Sequence, residues 1–115
     1  MAATKSILIT GCSTGIGAAT AAELAKDFTV YATARKVETL RDLEAQGCRV
    51  LQLDVTDEES MKAAVAQVES DESAVWGLVN NAGYSQSGAL ETLTMESVRA
   101  QFETNVFGLL RMTQL

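Results

Sequence analysis

Short apolar runs alternate four times with segments of helical periodicity, and this alternation constrains the fold more than any other feature of the chain. The runs are rich in aliphatic and β-branched residues, as is typical of strands buried on both faces of a sheet. The segments between them are too long for hairpins, so we expect parallel strands joined by crossover helices. Strands are predicted at residues 6–10, 28–33, 49–53 and 75–79, within one doubly wound parallel α/β domain over residues 1–115.

Helical periodicity occupies the stretches that follow the predicted strands. An alanine-rich helix is predicted over residues 15–26, and a second over residues 37–46 ends at Gly47. Thr56, with Glu59 three residues later, has the pattern of a capping box and predicts the start of a third helix. Thr94 is predicted to cap a long fourth helix, whose apolar stripe is Val98, Phe102, Val106, Leu109 and Thr113.

Composition excludes several classes of function. The chain has no histidine, so neither a Ser-His-Asp nor a Cys-His catalytic set nor an imidazole metal site is present in it. Nine basic against 15 acidic residues give a formal net charge of −6, which is a poor match for nucleic acid or for a membrane surface. Residues 1–5 are too short and polar for a signal peptide, and no apolar run reaches membrane-spanning length.

The two cysteines, Cys12 and Cys48, are far apart and follow no metal-binding spacing. This spacing favours free thiols in a reducing cytoplasm. We therefore expect a cytoplasmic domain that binds no metal, no nucleic acid and no membrane.

Three glycines stand directly between the first strand and the alanine-rich helix. Ligands of such sheets bind beyond the carboxyl ends of the strands. Glycine lets the backbone approach a pyrophosphate, and the free N–H groups of the following helix face the anion. The spacing differs from both the P-loop and G-x-G-x-x-G patterns, and an ordinary strand-to-helix turn is the alternative. The residues predicted to surround a dinucleotide phosphate are Gly11, Ser13, Thr14, Gly15, Ile16 and Gly17.

Residues 10–17, Thr-Gly-Cys-Ser-Thr-Gly-Ile-Gly, resemble the glycine motif of the short-chain dehydrogenase/reductase family. Other motifs agree in order and position over essentially the whole chain, and residues 11–17 and 30–35 are most similar to the steroid and retinol dehydrogenase branch. The resemblance implies hydride transfer between a nicotinamide and a small-molecule carbonyl or alcohol, and the strand order 3-2-1-4. The further motifs are Asp54-Val55, Asn80-Asn81-Ala82-Gly83 and Asn105.

The resemblance also implies a role for each of these residues. It assigns Asp54 and Val55 to the adenine ring, a structural role to Asn80, and the wall of the cofactor cleft to Asn81, Ala82 and Gly83. From the residues alone, short amides after a buried strand can equally tie neighbouring loops through hydrogen bonds to the backbone.

Asn105 lies three residues after Phe102 and four before Leu109, on the apolar face of the predicted helix. A buried amide needs hydrogen-bond partners, and a core asparagine satisfied by a backbone carbonyl is one reading. The resemblance implies the other reading, a catalytic asparagine that holds a water molecule in a proton relay.

Residues after the second strand bear on the cofactor. NAD-binding proteins of this kind place an acidic side chain there for the ribose hydroxyls, whereas this chain has Ala34 followed by Arg35 and Lys36. A guanidinium suits a 2′-phosphate as a charge and as a bidentate donor. The sequence therefore predicts NADP rather than NAD, with a solvated basic pair as the alternative.

The chain departs from the family in one respect, because it has no catalytic serine and no Tyr-x-x-x-Lys motif. Neither Tyr31 nor Tyr84 has a lysine four residues later. We expect the cofactor-binding half of the family fold, inactive alone, with a catalytically silent nucleotide-binding module or an excised folding unit as the alternative. Methyltransferase and receiver domains fit less well, since both require acidic residues that this chain lacks. The edge of the fourth strand and the broad apolar face of the long helix predict a homo-oligomer.

Overall fold

The computed structural model describes residues 4–115, in which four parallel strands form one sheet. Residues 1–3, part of the segment considered above for a signal peptide, lie outside the described residues. The order β3-β2-β1-β4 confirms the prediction. The strands are β1 (Ser6–Ile9), β2 (Thr29–Ala34), β3 (Arg49–Gln52) and β4 (Gly77–Val79).

Helices follow the strands in the predicted order. These are α1 (Gly15–Leu24), a 3-10 turn (Val37–Leu40) that continues into α2 (Arg41–Ala45), α3 (Glu58–Glu72), a second 3-10 turn (Leu90–Thr92), and a long helix over residues 95–114. The long helix consists of α4 (Met95–Phe102), a π-helical segment (Glu103–Gly108) and α5 (Leu109–Gln114). Within residues 4–115, none of the helices combines the length and the hydropathy that a membrane crossing requires.

The sheet separates two apolar clusters, as expected for a doubly wound domain. Side chains alternate along β1: Ile7 and Ile9 pack under α1 and α2, whereas Leu8 packs under α3 and α5. Leu8 and Ile9 are fully buried. Burial of each such side chain contributes about 1.5–3 kcal/mol, so β1 is the centre of the core.

The predicted cap of α3 is wrong by one residue. Asp57 is the N-cap, and its Oδ1 accepts hydrogen bonds from the backbone N–H groups of Glu59 and Ser60 at 3.1 and 3.4 Å. The Thr56 hydroxyl instead donates to Asp54 Oδ1 at 2.7 Å. Aspartate is at least as good a cap as threonine, and the turn that Asp54 forms with Thr56 removes that hydroxyl from competition. Thr94 does cap α4 as predicted, since its Oγ1 accepts from Ser97 N at 3.1 Å.

The apolar stripe predicted for the long helix is not the buried one. Phe102 is 52% exposed, and Val106, Leu109 and Thr113 are also exposed, whereas Gly108 and Met112 are buried. For Leu109 and Thr113 the π-helical segment is the physical reason, because its wider turn rotates the residues that follow away from the register of a regular α-helix. The exposed face therefore carries large apolar side chains, and the buried face has a glycine at its centre.

Both cysteines are free and buried, with Cys12 1% exposed. Burial raises the pKa of the Cys12 thiol from 9.0 to about 11. The unfolded chain therefore loses this proton first, so the stabilisation is complete below pH 9 and is lost as the pH rises towards 11.

We predict that the free energy of unfolding falls by about 1 kcal/mol between pH 8 and pH 10 through Cys12. Burial, with a hydrogen bond donated to Glu72, also raises the pKa of Tyr31 to about 12, and its contribution is lost at higher pH. Urea titrations at the two pH values measure the effect, and Cys12→Ala is the control that should weaken the pH dependence, while Cys48, whose pKa burial also raises, still contributes. An equal pH dependence in both proteins would contradict the prediction.

Candidate functional site

A cleft of about 690 Å³ opens beyond the carboxyl ends of the strands. All the residues predicted to form the site line this main cleft, except Gly17, Lys36 and Asn105. Sequence reasoning missed four lining residues, which adjoin the predicted motifs but belong to none of them: Leu53, Thr56, Tyr84 and Thr104. Ala34, which the sequence singled out for its bearing on the cofactor, lines the cleft as well.

Residues 11–17 are here called the glycine turn, and their three glycines have different roles. Gly11 and Gly15 have φ angles of 70° and 61°, in the left-handed region that favours glycine. A Cβ at Gly15 would meet nothing within 4 Å, so the backbone there borders open cleft. A Cβ at Gly17 would lie 2.2 Å from the Gly11 carbonyl oxygen and 2.4 Å from Asn81 Nδ2. Gly17 therefore permits close packing beneath the turn.

The start of α1 completes the glycine turn. Thr14 is the N-cap residue, yet its side chain makes no capping hydrogen bond. The first N–H groups of α1 thus receive no side-chain cap, and Gly15 and Ile16 line the cleft at this point. Such a helix N-terminus offers hydrogen-bond donors and a partial positive charge to an anion.

A buried threonine joins the glycine turn to the opposite wall. Thr10 is 1% exposed, and its Oγ1 accepts hydrogen bonds from the backbone N–H groups of Asn81 and Ala82 at 3.0 and 2.9 Å. Asn81 Nδ2 donates to the Gly11 carbonyl oxygen at 2.9 Å. The Asn81 amide thus ties two loops together, and Asn80 makes a separate contact through Nδ2 to Thr113 Oγ1 at 3.1 Å.

Asn105 lies in the π-helical segment and is half-buried. Its Oδ1 accepts from Tyr84 N at 3.0 Å, and its Nδ2 donates to the Tyr84 carbonyl oxygen at 2.6 Å. Both ends of the amide therefore bond to one backbone unit of the cleft wall. Thr104, the preceding residue, lines the cleft. This contact is the backbone-satisfied arrangement described above, and the catalytic role of Asn105 stays a prediction.

The residues that follow β3 give the cleft one polar and one apolar side chain, those of Asp54 and Val55. Asp54 Oδ1 accepts from the Thr56 N–H at 2.9 Å, which fixes the turn after β3. Val55 is 7% exposed and packs on the cluster beneath α3. Asp54, Val55 and Thr56 all line the main cleft.

A smaller hollow of about 490 Å³, here called the side hollow, adjoins the cleft. It contains both predicted cations, and within residues 4–115 neither of them is in an ion pair. The side hollow and the cleft share three lining residues, so one ligand can extend from one into the other. The side hollow is lined by Ser13, Ala34, Arg35, Lys36 and Thr39.

Similarity to known proteins is concentrated in one family. The short chain dehydrogenase family model matches residues 5–115. An uncharacterized oxidoreductase of Bacillus subtilis, YusZ, is 41% identical over 118 residues, covering 96% of this chain and 42% of the relative. A short-chain dehydrogenase from Streptomyces avermitilis has a TM-score of 0.91 and 39% identity, covering 99% of this chain and 43% of that one.

A second solved structure was determined with its cofactor. A variant of actinorhodin polyketide ketoreductase with NADPH has a TM-score of 0.90 and 34% identity, covering 99% of this chain and 47% of that one. The chain thus spans less than half the length of each of these relatives.

Proposed function

The chain belongs to the short-chain dehydrogenase family, and from this premise we propose that it binds NADP(H) in the main cleft. It would supply the cofactor-binding half of an oxidoreductase acting on a small-molecule carbonyl or alcohol. The cofactor, when bound, donates or accepts the hydride. The observation that carries the proposal is the side hollow, where two cations that make no ion pair within residues 4–115 adjoin a glycine-lined cleft.

The glycine turn fits a pyrophosphate. Space beside Gly15 lets an anion reach the backbone, and the uncapped start of α1 offers N–H donors to it. The hydroxyl groups of Ser13 and Thr14, which line the cleft, add further donors. Gly17 supports this arrangement from beneath, since no side chain fits between the turn and Asn81.

The side hollow fits a 2′-phosphate. Arg35 offers a planar pair of donors and Lys36 a second positive charge. Ala34 stands where a carboxylate would bind ribose hydroxyls and repel the phosphate. Charge and geometry thus favour NADP over NAD.

The remaining predicted residues fit the two ends of such a cofactor. Asp54 and Val55 would border the adenine ring, and Ala82 and Gly83 the nicotinamide end. Asn105 holds the backbone of Tyr84, the residue after Gly83, through its two hydrogen bonds, which would keep this wall in place.

The proposal extends to the activity, the location and the oligomeric state of the whole protein. The acid–base residues would come from outside the 115 residues, so this chain alone would show no turnover. Free thiols favour a cytoplasmic location. The exposed apolar face of the long helix, which includes Phe102 and Phe107, favours a homo-oligomer.

Cofactor preference is tested by calorimetric titration of NADP+ and NAD+. We predict that the wild type binds NADP+ at least about tenfold more tightly, and that Arg35→Asp removes this preference because a carboxylate repels the 2′-phosphate. Arg41→Asp makes the same charge change on exposed α2 and should leave the preference intact. Equal affinities in the wild type, or an unchanged preference in Arg35→Asp, would refute the proposal.

A further inference from the structure

Gly108 lies where the long helix crosses the turn that follows β3. A Cβ at this position would lie 2.8 Å from the Val55 carbonyl oxygen and 2.9 Å from both Val55 Cβ and Cγ2. These distances are shorter than van der Waals contact, so only glycine lets the helix backbone rest directly on Val55. Val55 in turn lines the main cleft.

The long helix is anchored on both sides of Gly108. Towards the N-terminus, Asn105 bonds to the Tyr84 backbone. Towards the C-terminus, Met112 is 2% exposed in the core, and Arg111 Nε donates to both carboxylate oxygens of Glu58 at 2.8 Å. Because the helix is held on both sides of Gly108, we expect a Cβ there to press on Val55 and to shift it in the wall of the cleft.

We propose that Gly108 is a positioning residue, which sets how deeply Val55 lies in the wall of the cleft and thereby how an adenine ring fits. The inference rests on the proposed binding of the adenosine end beside Val55. It also explains the use of glycine within a helix, where the residue is otherwise unfavourable. The π-helical segment places Asn105 towards Tyr84 and Gly108 towards Val55, so one segment of helix supports both walls.

Gly108→Ala tests the inference with two probes. Adenosine 2′,5′-bisphosphate uses the adenine wall, whereas inorganic pyrophosphate uses only the glycine turn. We expect binding of the first to weaken about tenfold and that of the second to stay within about twofold. General destabilisation would instead weaken both alike. Gly77→Ala is the matched control, because its Cβ would make an ordinary 3.4 Å contact with Ile7 Cγ1 away from the cleft, and neither affinity should change.

Two further measurements test whether Gly108 sets the position of Val55. The Val55 methyl resonances should shift in ligand-free Gly108→Ala and stay unmoved in Gly77→Ala; unmoved Val55 resonances in folded Gly108→Ala would overturn the inference. If Gly108→Ala does not fold, Arg111→Gln is the second variant, because it removes the ion pair with Glu58 that holds the helix. It should weaken the binding of adenosine 2′,5′-bisphosphate about threefold and leave the binding of pyrophosphate unchanged. An unchanged affinity would then overturn it. A wild type that binds neither probe would instead refute the proposed function.

Discussion

Gly17→Ala is expected to lower the free energy of unfolding by about 3 kcal/mol and to abolish nucleotide binding. The added Cβ would lie 2.2 Å from the Gly11 carbonyl oxygen and 2.4 Å from Asn81 Nδ2. Neither atom can retreat easily, because the two are hydrogen-bonded to each other at 2.9 Å. Gly11 has little room to move, since even a Cβ on it would lie 2.8 Å from Ala82 Cα, so the strain would spread to the opposite wall.

Gly15→Ala provides the matched control in the same turn. Its Cβ would meet nothing within 4 Å, and the cost is the left-handed backbone at φ 61°, about 1–2 kcal/mol. The methyl group would enter the space proposed for the pyrophosphate, so binding should be lost with much less loss of stability. Urea unfolding and calorimetric titration of both variants distinguish the two effects. Equal stability losses would show that the packing beneath the turn is not the limiting contact.

The parallel strands and the location of the site follow from features that the sequence displays, whereas the strand order follows from the family resemblance. Parallel strands such as β1 and β2 are buried on both faces and therefore appear as continuous apolar runs. The sequence predicts the fourth strand too long, at residues 75–79, because Val75 and Trp76 extend its apolar run. In the structure Trp76 lies before β4, 57% exposed, stacked on Phe28 and beneath the Lys5 ammonium group. An apolar residue at the end of a strand pattern can thus belong to a surface aromatic stack instead of to the strand.

The contacts that support the cleft could not be predicted in the same way. Asn105 was expected on an apolar face, but the π-helical segment has no residue signature, and its bonds to Tyr84 depend on how a distant loop folds back. Gly108 is a glycine within a helical pattern, and the pattern alone does not identify the residue that it packs against. Each of these residues acts across a tertiary contact, and the identity of the partner is not encoded in its immediate neighbours.

Thr10 is the strongest example of a supporting contact that the sequence does not reveal, because nothing in the sequence distinguishes it from any other threonine at the end of a strand. In the structure it is the acceptor for two backbone N–H groups, those of Asn81 and Ala82, and so joins β1 to the opposite wall of the cleft. Valine has nearly the same shape but no acceptor. Thr10→Val would therefore leave two N–H groups without their partner while packing stays nearly unchanged.

We predict that Thr10→Val lowers the free energy of unfolding by about 3 kcal/mol, since each unsatisfied group costs about 1–3 kcal/mol. Amide hydrogen exchange at Asn81 and Ala82 should also accelerate at least about tenfold, and nucleotide affinity should fall as the wall loosens. Urea unfolding, residue-resolved hydrogen exchange and calorimetry measure these three effects.

Thr33→Val is the matched control, because Thr33 is equally buried and the substitution is the same. Its Oγ1 donates to the Ile9 carbonyl oxygen at 2.8 Å, and that oxygen also accepts from the Cys12 thiol. Removing the Thr33 hydroxyl leaves the carbonyl with a partner, so the expected loss is only about 1 kcal/mol, with no change in exchange at Asn81 and Ala82. If Thr10→Val exchanged no faster at these two amides than Thr33→Val, the Thr10 hydroxyl would not be what holds the wall against the glycine turn.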